Sequence, residues 1–79
     1  KRQVLMMHGT SDWRVVPRMA LDMADAFLRE KVPFRLILFE GGDHGLNEHN
    51  DEVFRQTRIW LDKYVRDGAP LPDLTPHGK

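Results

Sequence analysis

The sequence predicts an α/β fold in the order strand, helix, strand, helix, read as the end segment of a larger parallel sheet. Three observations predict it. Val4-Leu5-Met6-Met7 is a continuous apolar run closed by the turn formers His8-Gly9-Thr10-Ser11-Asp12. A proline-led stretch with apolar residues at helical spacing follows it. A second run, Phe34-Arg35-Leu36-Ile37-Leu38-Phe39, is rich in aromatic and branched residues. Continuous rather than alternating hydrophobicity suits strands buried on both faces. A helix between two such strands makes a parallel unit with a right-handed crossover.

The first strand is assigned to Val4–Met7, because the turn cluster after it argues against a buried piece of helix. Pro17 opens the first helix, its fixed φ and missing N–H suiting the first helical position. Ala20, Met23, Ala24, Phe27 and Leu28 then form one apolar stripe. Lys31 suits the negative end of the helix dipole and Pro33 stops continuation, so the helix is placed at Pro17–Lys31. The second strand is Phe34–Phe39, ended by Glu40-Gly41-Gly42-Asp43-His44-Gly45, with three glycines in six residues. Asn50 is the expected N-cap of the last helix, with Asp51 and Glu52 in its first turn. Val53, Phe54, Thr57, Trp60, Leu61, Tyr64 and Val65 repeat at helical spacing to about Arg66. From Asp67 on, three prolines and two glycines in thirteen residues predict a tail that crosses a surface or stays disordered.

Composition narrows the function. Twelve basic and twelve acidic residues cancel, which argues against a nucleic-acid binder or a basic membrane-surface module. No apolar run reaches the roughly 20 residues of a membrane span. The absence of cysteine excludes a disulfide scaffold and a zinc–cysteine site. A chain of 79 residues is at most one small domain, burying roughly 60% of its unfolded surface. Two parallel strands leave both sheet edges unpaired, and such sheets need cover on both faces. The chain is therefore expected to continue from preceding sequence, which its start at Lys1-Arg2-Gln3-Val4, without methionine, also suggests.

Chemistry is expected beyond the carboxyl ends of the strands, where open parallel sheets bind ligands. Asp12 follows the first strand and His44 the second. Neighbouring strands lie about 5 Å apart, so the two loops emerge side by side and an acid and an imidazole can meet. A carboxylate on one ring nitrogen fixes the tautomer and leaves the other nitrogen to take a proton from a nucleophile.

Leu5-Met6-Met7-His8-Gly9-Thr10-Ser11-Asp12-Trp13-Arg14-Val15 resembles the strand and turn that carry the catalytic aspartate of α/β-hydrolases. The match is to the prolyl oligopeptidase family, which includes dipeptidyl and acylaminoacyl peptidases. Its pattern of His-Gly-Thr, a small residue, the acid and a valine three residues on is met by Asp12 and Val15. Gly42-Asp43-His44-Gly45 resembles the family's histidine loop. The resemblance covers about Val4 to Arg66. It implies a β-α-β-α end segment of an α/β-hydrolase parallel sheet, with residues 1–67 the C-terminal part of the catalytic domain and 68–79 a tail. It further implies a serine peptidase, with catalytic Asp12 and His44. The expected partners are a peptide or acyl-ester substrate and the remainder of the hydrolase domain.

The departure from the family lies in the nucleophile. A triad hydrolase of this fold places serine in a Gly-x-Ser-x-Gly elbow before the acid and the histidine. The only serine here, Ser11, stands between Thr10 and Asp12. The nucleophile and oxyanion hole are expected outside this chain, which alone should lack triad activity. Two alternatives compete: an esterase of dienelactone-hydrolase or acetyl-xylan-esterase type, and a non-catalytic hydrolase-like module that associates through its sheet edge.

Other residues receive plainer readings. Trp13 and Arg14 flank the acid and are candidates for substrate binding at the pocket rim, against packing of Trp13 beneath a loop. His8 is expected to be structural, orienting the aspartate loop, and His49 to lie on the surface. His77 belongs to the tail. Phe54, Trp60 and Tyr64 are expected in the core or facing the sheet, and Met19 and Met23 in packing. Asp43, His44, Glu48 and His49 are crowded, but histidines five apart do not share a helix face and His-Glu-x-x-His is missing. No metal and no other cofactor is expected.

Overall fold

The computed structural model describes residues 3–78. Strand β1 (Val4–Gly9), helix α1 (Pro17–Glu30), strand β2 (Phe34–Phe39) and helix α2 (Asn50–Leu61) follow in that order. The strands pair in parallel, in register from Val4 opposite Phe34 to Gly9 opposite Phe39. β1 thus runs two residues beyond the predicted Met7, because His8 and Gly9 find ladder partners in Leu38 and Phe39.

Successive strand residues point to opposite faces, and the helices divide accordingly. Phe34 meets Phe27 of α1, ring centroids 5.8 Å apart. Its neighbour Arg35 turns to α2, where its guanidinium lies 5.2 Å from the Trp60 ring centre and 3.4 Å from Gln56 Oε1. The two helices therefore cover opposite faces of the sheet, and the small buried residues Ala20 and Ala24 let α1 approach closely.

α1 begins at Pro17, as predicted, and ends at Glu30. Lys31 adopts the left-handed conformation (φ 55°, ψ 42°), its amide 3.4 Å from the Leu28 carbonyl while the Val32 amide donates to Phe27 at 3.0 Å. This pair of bonds closes the helix before Pro33 is reached. The last helix departs further from expectation. Asn50 is not its N-cap but its first helical residue, because a 3-10 turn at Asn47–His49 already sets the entry and His49 takes the cap position. At its other end the helix widens into a π turn over Asp62–Arg66, closed by the Asp67 amide on the Asp62 carbonyl at 2.9 Å. In the tail, Leu74 shares a shallow recess with Phe27, Leu28, Lys31, Val32 and Phe34.

The core is thin. Its buried apolar residues are Ala20, Ala24, Phe39 and Leu46, and among the described residues no large side chain is fully buried. Phe54, expected in the core or facing the sheet, is exposed, as are Met19 and Met23, expected in packing. Helical spacing puts Phe54 on an apolar face that stays uncovered, while Met19 and Met23 only edge a recess they share with Leu5, Met6, Met7 and His8 of β1. Trp60 and Tyr64 are half-buried and stack edge-on, 4.7 Å between centroids.

Candidate active site

The site is built where the two strand ends touch. Gly9 closes β1 against the loop after β2 so tightly that a Cβ on it would lie 2.1 Å from the Gly42 carbonyl oxygen. Only a residue without a side chain allows that approach. The loops are then stitched together. The Thr10 amide donates to Phe39 and the Ser11 amide to Gly42, both at 2.9 Å, and the Gly41 amide donates to Thr10 Oγ1 at 2.7 Å. Gly41 supplies the left-handed backbone (φ 65°) that the turn needs.

These bonds deliver Asp12 and His44 to one point. Asp12 is 6% exposed, the only buried charged residue among those described. Its Oδ1 accepts the amides of Arg14 at 2.9 Å and Val15 at 3.0 Å. Its Oδ2 lies 2.9 Å from His44 Nδ1. Burial by itself would push this carboxyl up. The Val15 amide, the His44 bond and charge, and the Arg14 amide outweigh burial and lower it from 3.8 to about 2. Asp12 is consequently an anion at neutral pH and can only accept. His44 Nδ1 must then hold the proton, so the neutral ring keeps Nε2 as a free acceptor. The ring is half exposed (side chain 51%), and among the described residues no hydrogen bond reaches Nε2.

The histidine loop has its own scaffold. Asp43 Oδ1 accepts the Asn47 amide at 3.2 Å, and its carbonyl accepts the Leu46 amide at 3.3 Å. Buried Leu46, at φ 54°, seals the loop against Gly42. Asp43 thus shapes the turn that presents His44.

The remaining candidates separate. Trp13 is 77% exposed rather than packed beneath a loop, and Arg14 stacks on it with its guanidinium 5.2 Å from the ring centre. Both follow Asp12 directly in the chain, and Arg14 reaches the carboxylate through its backbone amide. His49, expected on the surface, is half-buried: its ring packs on Phe39 at 4.8 Å and its Nε2 donates to the Glu40 carbonyl at 3.2 Å. That bond and the Asp12–His44 bond draw the two histidines to different partners. Among the described residues no three acidic or histidine side chains converge on a possible metal position. His8 donates to the Val15 carbonyl at 2.7 Å. His77 bonds the Thr75 carbonyl in the tail.

Sequence reasoning missed the Gly9–Gly42 contact, the Thr10 clamp and the part of the Val15 amide in holding Asp12. The clustered glycines were the available signal for the first; nothing in the spacing marks the other two.

A family model described as Prolyl oligopeptidase family matches residues 1–68. The chain belongs to the prolyl oligopeptidase family. The match takes in β1, the Asp12 loop, α1, β2, the His44 loop and α2. No curated protein and no solved structure matches the chain. Membership in the prolyl oligopeptidase family relates the chain to peptidases and agrees with the resemblance carried by the aspartate and histidine loops.

Proposed function

We propose that this chain is the end segment of an α/β-hydrolase catalytic domain and supplies the acid and base of a serine peptidase. The observation that carries the proposal is the 2.9 Å contact from Asp12 Oδ2 to His44 Nδ1, made by a buried carboxylate to a half-exposed ring. Family membership supports a peptide as substrate, in preference to the ester of a dienelactone-hydrolase-like enzyme. The exposed apolar faces of α1 and α2 support a larger domain around residues 1–67, with 68–79 a tail.

In the proposed reaction His44 Nε2 accepts the proton of a serine hydroxyl as its oxygen attacks the scissile carbonyl. The imidazolium so formed stays bonded through Nδ1 to Asp12, whose charge stabilises it. His44 then gives the proton to the departing amine, leaving an acyl-enzyme that water hydrolyses with His44 again as base. The serine lies outside this chain, since Ser11 has no elbow around it. Trp13 and Arg14 would meet the substrate at the rim.

Turnover of a peptide substrate by the polypeptide that joins this chain to its nucleophile tests the reading. His44→Ala should lower kcat by about 10⁴-fold or more, as loss of a triad member does. Activity within tenfold of wild type would remove His44 from this role.

A further inference from the structure

Asp12 has a second imidazole beside it. His8 stands on β1 four residues earlier, its side chain only 15% exposed. Its Nε2 lies 2.7 Å from the Val15 carbonyl oxygen and 3.3 Å from Asp12 Oδ2. Both neighbours are acceptors, so the proton of the neutral ring sits on Nε2. The shorter contact is the hydrogen bond, and the same N–H edge faces the carboxylate.

Val15 is thereby held twice. His8 takes its carbonyl, and Asp12 Oδ1 takes its amide at 3.0 Å. Arg14 adds its own amide to Oδ1 at 2.9 Å. With Oδ1 occupied from the loop side, the carboxylate plane is set and Oδ2 is turned to His44. The recess beside His8 is lined by the uncharged Val15, Met19, Ala20 and Met23, and Leu38 is its ladder partner.

We propose that His8 is a positioning residue for the Asp12–His44 pair, holding Val15 through Nε2–H so that the loop amides fix the direction of the carboxylate. The proposal rests on reading Asp12 and His44 as an acid–base couple. It differs from a packing role in one respect. Packing needs the volume of the ring, whereas positioning needs a donor at the place of Nε2.

Two substitutions separate these. His8→Leu keeps an apolar filling and removes the donor; His8→Gln keeps an uncharged N–H at a comparable reach. Amide hydrogen exchange at Arg14 and Val15 is read by NMR, with the His44 Nδ1–H resonance as a second signal. His8→Leu should lose about tenfold or more of the protection at both amides and broaden the His44 resonance, and His8→Gln should restore both. Wild-type protection in His8→Leu would overturn the proposal, as would loss in His8→Gln equal to that in His8→Leu. Should His8→Leu not fold, His8→Gln decides by the same protection, together with the wild-type ring nitrogens: a bare Nε2 on His8 overturns the assignment. A wild type with protected amides but no His44 Nδ1–H resonance would sink the acid–base couple and leave the His8 clamp on the loop standing.

Discussion

Gly9 and Gly42 are in backbone contact: a Cβ built on Gly9 would fall 2.1 Å from the Gly42 carbonyl oxygen and 2.7 Å from that of Asp43. The strand that carries the Asp12 loop and the turn that carries the His44 loop meet here with nothing between them. Gly9→Ala must push the two backbones apart, since no flexible side chain is there to yield. It should cost about 2–3 kcal/mol of stability, the upper range for inserting a methyl into a tight contact. Chemical denaturation measures this, and loss of the His44 Nδ1–H resonance should accompany it.

Acid should weaken the fold through Asp12. Its carboxyl is lowered to about 2 in the folded protein, against 3.8 for an unperturbed aspartate. A lowered folded-state value means that the unfolded chain binds the proton more readily. The stabilisation is therefore complete above about pH 4 and lost as pH falls toward 2. Urea midpoints measured across this window should decline, and Asp12→Asn should flatten the part of the decline that belongs to this group.

Helix α1 ends on a residue under strain. Lys31 holds φ 55° with a side chain, a conformation that costs an ordinary residue about 1–2 kcal/mol. Glycine is free of that cost but loses more backbone entropy on folding, by about 0.5–1 kcal/mol. Lys31→Gly should therefore raise stability by about 0.5 kcal/mol, read as a small upward shift of the denaturation midpoint. A fall would mean that the lysine side chain contributes more than its backbone costs.

Trp13 offers a test of the rim. Its side chain is exposed and touches Arg14, so Trp13→Ala should leave stability within about 0.5 kcal/mol of wild type. If it meets the substrate, KM should rise several-fold in the polypeptide that carries the nucleophile, while kcat changes little. An unchanged KM would remove Trp13 from substrate binding.

Much of this arrangement is legible in the sequence, for identifiable reasons. Phe34–Phe39 is bounded by Pro33 and a glycine-rich turn, and the strand keeps those limits. Asp12 and His44 each follow a strand, and parallel pairing brings the two strand ends together whatever the details of the loops. What was not legible depends on partners. β1 continues through His8 and Gly9 because Leu38 and Phe39 lie opposite them, which no reading of β1 by itself can supply. Asn50 has the side chain of a cap, yet the turn from Asn47 to His49 starts the helical path earlier. Phe54 has the spacing of a core residue, but periodicity reports which residues share a face and not whether that face is covered. His8 and Val15 are seven residues apart and meet only because the loop between them folds back.

The nitrogen-15 shifts of the His44 ring, recorded at a pH where it is neutral, test the central claim most directly. A proton held on Nδ1 by the Asp12 anion, with Nε2 bare, is the result the geometry requires, and Asp12→Asn should abolish that preference. A proton resident on Nε2, or an averaged mixture of the two forms unchanged by Asp12→Asn, would contradict the pairing of these residues.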